Sequence, residues 1–150
     1  MTLKPILIDE NPTQSIYANS FCQDIFKAYP AYYFKTGYHL PWIGYFVMRD
    51  FQVVGAGGFV GQPKNYMVEI AYGTSKEFEG QGIASFACKQ LIKIAQAADS
   101  NIIITAKTAP EHNASTKILA RNGFEFTKVV QDDDKLILTK ILLMKSKPTG

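Results

Sequence analysis

Cysteine is scarce in this chain. Cys22 and Cys88 stand far apart, with no Cys-x-x-Cys pair and no Cys/His spacing of a zinc ligand set. Neither a disulfide framework nor a structural metal is expected, and both thiols are expected to pack as small hydrophobes. Long apolar runs are lacking too. Nothing approaches the roughly eighteen residues of a membrane span, and residues 1–10 carry no signal-peptide core. A cytoplasmic location with no membrane partner is the expectation. Charge of one sign is nearly balanced, sixteen Lys+Arg against thirteen Asp+Glu for a net +3. The basic residues are dispersed lysines, with no run that would track a phosphate backbone, so nucleic acid is not an expected partner.

What is present is an ordinary apolar content, 47% over 150 residues. A chain of that length buries roughly 70% of its unfolded surface, which suffices for a core without staples. One domain spanning residues 1–150 is expected, with 145–150 as a disordered tail. The apolar run Ile6-Leu7-Ile8 suits a first strand. Asn11-Pro12-Thr13 offers a cap for a helix whose apolar face runs through Ala18, Phe21, Cys22, Ile25 and Tyr29 and which should stop at Pro30. Residues 32–41 read as an aromatic loop.

Residues 42–49, 52–60 and 66–72 are β-rich, the first two joined by a turn at Asp50-Phe51. Gly55, Gly57 and Gly58 inside the second of these imply a bulge or a close backbone approach. From Gly82 to about Ala98 the period is helical. Ile102-Ile103-Ile104 is a buried strand, and a further helix capped by Asn113 stops at Asn122-Gly123. Residues 124–130 and 136–143 are strands around the acidic turn Asp132-Asp133-Asp134. The order β-α-β-β-β-α-β-α-β-β predicts an α/β (α+β) fold: a mixed, mostly antiparallel sheet of about seven strands flanked by helices.

The sharpest local feature is Glu79-Gly80-Gln81-Gly82-Ile83-Ala84, a glycine turn between a strand and a helix. The first turn of a helix leaves backbone N–H groups unpaired and carries partial positive charge, and glycine lets an anion come close to them. A tight turn that merely needs glycine torsions is the plain alternative. No Gly-Lys-Ser/Thr triplet follows, which excludes a P-loop, and Ser85 stands where a dinucleotide fingerprint needs a third glycine or alanine.

With two further blocks the sequence resembles the GNAT superfamily of N-acetyltransferases, in its ribosomal-protein-acetyltransferase-like branch. Glu79 to Ala84 is similar to the family's Arg/Gln-x-x-Gly-x-Gly/Ala turn, with Glu79 departing at the first position. Asn113-Ala114-Ser115 leading to Asn122-Gly123-Phe124 is similar to its Asn-x-x-Ser…Gly-Phe helix and strand, with Ser115 one place early. Val68-Glu69-Ile70-Ala71-Tyr72 is similar to its Val-Glu-Ile-Gly-Tyr strand.

The resemblance implies acetyl-CoA as co-substrate, no metal, and direct transfer of the acetyl group to a primary amine of a small molecule or a protein N-terminus. It implies cofactor contacts at Tyr72, Gly73, Thr74, Glu79, Gly80, Gln81, Gly82, Ile83, Ala84, Asn113 and Ser115. Glu69 is implied as the base. The position of the family's usual tyrosine acid is held by Leu119, which leaves Tyr72, Ser115, water or the acceptor's own proton as donors. Tyr32, Tyr33, Phe34, Tyr38, His39 and Trp42 would either line an acceptor pocket or cover the core. A non-catalytic acyl-CoA-binding sensor or regulatory module is the alternative, suggested by Glu79 and Leu119. Monomer and homodimer are both open.

Overall fold

A computed structural model describes residues 1–108, 114–131 and 138–144, with side chains for 1–108 and 114–127. The elements are β1 (Thr2–Pro5), α1 (Ser20–Thr36), β2 (Gly44–Arg49), β3 (Gln52–Phe59), β4 (Met67–Thr74), α2 (Ile83–Ala98), β5 (Ile103–Thr108), α3 (Ala114–Arg121), β6 (Glu125–Gln131) and β7 (Leu138–Met144), with short 3-10 turns at Ser15–Tyr17 and Lys76–Phe78. The strands form one sheet in the order β1-β2-β3-β4-β5-β7-β6. All neighbours are antiparallel except β4 and β5, which run parallel around the α2 crossover. Among the described residues no helix is long and apolar enough to cross a membrane, and no cluster of metal-ligating side chains occurs.

Alternation along β2 sorts the helices between the two faces. Phe46 points to the face covered by α1, where it packs with Tyr17, Cys22, Phe26 and Ala56. Val47 points to the other face, where it packs with Val54, Ile83 and Ala87 of α2. A larger cluster joins Val68, Ile70, Ile104 and Ala106 of the sheet to Leu91 and Ala95 of α2 and Leu119 of α3. Both cysteines are buried and free.

The N-terminal part differs from its sequence reading. The strand is Thr2–Pro5, and only Ile6 continues inward, its amide donating to the Gly44 carbonyl at 2.9 Å, while Leu7 and Ile8 turn out to solvent. Asn11 caps no helix; its side chain accepts from the amide and hydroxyl of Thr13 in a local turn. The cap is Asn19, which accepts from the Cys22 amide at 2.8 Å. The helix also runs through Pro30 to Thr36. An internal proline costs about 3 kcal/mol; ring packing of Tyr29, Tyr32 and Tyr33 at centroid distances of 5.0–6.1 Å offsets it. Tyr32, Tyr33 and Phe34 are therefore helical rather than part of a loop.

The hairpin at Asp50-Phe51 turns with φ of 51° and 62°, the left-handed pair that a two-residue connection requires. Close backbone approach accounts for the β3 glycines. A Cβ on Gly58 would lie 2.7 Å from Gly44 Cα and 2.8 Å from the Ile43 carbonyl oxygen, and one on Gly55 2.8 Å from the Gly73 oxygen. A register shift also occurs, between Val47 and Met48. The Asn113 cap, the acidic turn 132–134 and the tail 145–150 lie outside the described residues.

Candidate active site

Among the described residues β4 is flanked on both sides only as far as Ile70. Its parallel pairing with β5 runs from Met67↔Ile103 to Ile70↔Ala106, although β4 continues to Thr74 and β5 to Thr108. On the other side the pairing with β3 holds out to Thr74. Beyond Ile70 the two parallel strands part, and the edge of 71–74 on the β5 side has no strand partner among the described residues.

Glu69 sits just before this parting, half-buried, in register with Thr105. One carboxylate oxygen lies 3.6 Å from the Lys107 ammonium. Tyr32 of α1 is close by: burial first, and the Glu69 charge second, raise its pKa. Tyr32 donates to the Phe59 carbonyl at 3.1 Å.

Along the same face lies a cleft of about 250 Å³. Its roof is a stripe of α1, Phe21, Ile25, Tyr29 and Tyr32, and its floor is the small-residue part of β3 and β4. Of the aromatic residues singled out for an acceptor pocket, Tyr32 alone lines this cleft. Tyr33 is core, its hydroxyl donating to the Ile6 carbonyl at 2.7 Å and accepting from the Gly44 amide at 3.1 Å. Tyr38 packs on Tyr33 and Trp42 on Phe59. Phe21, Ile25 and Tyr29 were not singled out as lining; their i, i+4, i+8 spacing was legible as an apolar stripe, but not which part of it a sheet leaves uncovered.

Tyr72 points to the opposite face. Its hydroxyl lies 3.4 Å from the Ser115 oxygen of α3 and beside the Cys88 thiol. Burial pushes the Tyr72 hydroxyl up to about 12 and the Cys88 thiol up to about 11, so both keep their protons at neutral pH. Leu119, one turn beyond Ser115, is fully buried core. Glu69 and Tyr72 therefore do not share a face of β4.

The glycine turn follows β4. Gly80 and Gly82 have φ of 78° and 79°, and a Cβ on either would meet nothing within 4 Å. The torsions demand glycine, and the space beside them is open. Gly82 caps α2 without a side-chain bond, and the first-turn N–H groups of a helix have no partner within it. The space is a pocket of about 490 Å³ bounded by Thr74, by the turn from Glu79 into Ser85, and by Lys117 and Arg121 of α3. Gln81 is not among its lining residues, whereas Gly80, Gly82, Ile83 and Ala84 are. Lys117 and Arg121 were missed in the sequence; their four-residue spacing put them on one helix face, with nothing to say what the face looks at. Asn113 lies outside the described residues.

The sheet parted after β4 and the glycine turn in front of α2 define a mixed α/β fold, one mostly antiparallel sheet flanked by helices. The chain belongs to the acetyltransferase (GNAT) family: the family profile described as "Acetyltransferase (GNAT) domain" matches residues 9–125. A curated relative, the uncharacterized N-acetyltransferase YjdG of Bacillus subtilis (strain 168), is 34% identical over 76 residues, covering 50% of this chain and 45% of that protein. The chain thus matches less than half of that relative's length. Among solved structures, a candidate phosphinothricin N-acetyltransferase superposes with a TM-score of 0.72 at 17% identity, covering 98% of this chain and 99% of its own. The yncA protein of Salmonella typhimurium, solved with acetyl-CoA, superposes with a TM-score of 0.64 at 16% identity, covering 86% of this chain and 76% of its own. At these identities the superpositions speak to the fold.

Proposed function

We propose that this protein is an acetyl-CoA-dependent N-acetyltransferase acting on a primary amine. One observation carries the reading: the free end of β4 joins the two pockets, Ala71, Tyr72 and Gly73 lining the cleft under α1 and Thr74 lining the pocket at the start of α2. An acyl-CoA has the chemistry for that path. Lys117, Arg121 and the N–H groups of the first α2 turn suit its phosphates. The exposed strand edge of 71–74 suits its amide-bearing arm.

Acetyl-CoA, when bound, supplies the acyl group as a thioester. The amine nitrogen forms the new bond to the acyl carbon as the carbon–sulfur bond breaks, giving an amide and the free thiol. Glu69 takes up the proton the nitrogen loses, directly or through water, a service typically worth about 10²–10⁴ in rate. Tyr72, protonated at neutral pH and backed by Ser115, holds a proton on the other side of the gap for the departing sulfur.

The test is calorimetric binding of acetyl-CoA together with thiol release across a panel of amines. Binding and release are expected from the native chain. Glu69→Gln is expected to lower turnover at least tenfold and to flatten its rise with pH while leaving acetyl-CoA affinity within twofold. A second reading, a non-catalytic acyl-CoA sensor, is favoured by the Glu79 carboxylate at the phosphate pocket and by the buried Leu119. Binding with no release from any amine would decide for it.

A further inference from the structure

Resting on that reading, we infer that the acceptor is an arylalkyl primary amine, whose flat apolar group lies in the slot between α1 and the β3–β4 floor while its amino group reaches toward Glu69. The slot has a shape that few chemistries fill. Phe21, Ile25, Tyr29 and Tyr32 form its roof. Tyr29 and Tyr32 are stacked at 5.3 Å with 30° between their planes. Opposite them lie Ala56, Gly57, Gly58, Ala71, Tyr72 and Gly73; the Tyr72 side chain turns away to Ser115 and Cys88, so the floor carries nothing larger than a methyl group. Two nearly flat apolar walls favour a ring over a branched or hydrated group, because aromatic packing adds to area burial.

Size and charge narrow the class further. About 250 Å³ is below the roughly 300–1,000 Å³ usual for drug-sized ligands, so one ring on a short linker fits and a large glycoside does not. A polyamine would want several carboxylates, and among the described residues none lines the slot. Glu69, on this face, already has Lys107 across from it. The position of Glu69 follows from the strand. It lies two residues before Ala71 on the same face, and its charge is felt at Tyr32, a roof residue. An amino group on a two-carbon linker therefore leaves the slot at the end where the base stands and where β4 and β5 part.

The experiment compares kcat/KM for 2-phenylethylamine, ethanolamine, spermidine and a short peptide by thiol release at saturating acetyl-CoA, with acetyl-CoA affinity measured in parallel. The expected result is at least a tenfold preference for 2-phenylethylamine. Ala71→Leu, which puts a side chain on the floor, should raise KM for that amine at least tenfold with a smaller change in kcat. Ile25→Ala, which opens the roof, should shift preference toward the larger tryptamine. Equal or better use of ethanolamine, spermidine or the peptide overturns the assignment of the acceptor while leaving acetyl transfer standing, as does an unchanged amine ranking in both variants. Failure to bind acetyl-CoA overturns the assignment and the proposed activity together.

Discussion

Lys117 and Arg121 share their pocket with the Glu79 carboxylate, so its field is a sum of opposed terms. At about 8 Å, and with an effective dielectric of about 20 to 80, one unit charge acts on another with about 0.5–2 kcal/mol. Removing the carboxylate in Glu79→Gln should therefore tighten CoA binding about two- to thirtyfold, and Arg121→Ala should weaken it by a similar factor. Surface interactions of this kind fade as the Debye length falls from about 10 Å at 0.1 M salt to about 3 Å at 1 M. Titrations at both salt concentrations check the assignment, because affinities of the Glu79→Gln variant and the native chain should converge at high salt. Equal affinities at low salt would mean that the carboxylate does not face the phosphates. The turn itself was readable from the letters, since φ near +80° at Gly80 and Gly82 is a property glycine announces locally. The two cations were not, because the direction a face of α3 looks depends on how the helix docks beside a loop some forty residues earlier.

At the level of elements, β3 lies where two close approaches meet. Gly58 passes the Ile43–Gly44 backbone so closely that an added methyl would sit 2.7 Å from Gly44 Cα and 2.8 Å from the Ile43 oxygen, atoms that cannot swing aside. Gly73, in register with Ala56 on the other side of the ladder, would place the same methyl in open space. Gly58→Ala should therefore cost about 1–3 kcal/mol through forced backbone shifts, whereas Gly73→Ala should stay within about 1 kcal/mol of the native chain. Urea midpoints of the two variants check this, and similar losses in both would remove the packing argument. The glycine cluster in β3 did signal close approach in the sequence, as did the periodicity of α2, whose bounds match the reading. Where the reading failed, tertiary packing overrode a local rule. Pro30 ought to end α1, and the tyrosines around it hold the helix together for another turn and a half. Ile6-Leu7-Ile8 looks like a strand because three apolar side chains stand together, yet Ile6 alone finds the core. The parting of β4 from β5 leaves no mark in composition at all, since it is a matter of which strand pairs with which.

The whole molecule is held by groups that must stay protonated. Tyr33 is 5% exposed and its hydroxyl ties α1 to Ile6 and Gly44. Burial pushes that hydroxyl up to about 12, and it raises Tyr29, Tyr32, Tyr45 and Tyr72 as well, while the fully buried Cys88 thiol rises to about 11. In the unfolded chain these groups return to about 10 for tyrosine and about 8.5 for cysteine. The sign follows from proton counts. Between the unfolded and the folded pKa the native state binds more protons than the unfolded one, so stability falls as pH rises. The stabilisation is complete below about pH 8.5, begins to be lost as the thiols ionise in the unfolded chain, and drops more steeply between about pH 10 and 12. With 1.36 kcal/mol per unit, Tyr33 and Cys88 each contribute about 3 kcal/mol of this loss, a large share of the roughly 5–15 kcal/mol that keeps a domain folded. The protein should therefore unfold cooperatively in alkali before pH 12, with tyrosinate absorbance rising together with loss of the far-ultraviolet signal. Tyr33→Phe supplies the control: losing two hydrogen bonds should lower stability at pH 7 by about 1–3 kcal/mol, yet with one fewer buried proton to lose, the slope above pH 10 should be shallower than in the native chain. Urea midpoints at pH 7, 9 and 11 measure both effects, and parallel curves for the two proteins would show that Tyr33 is not among the groups whose ionisation unfolds the molecule.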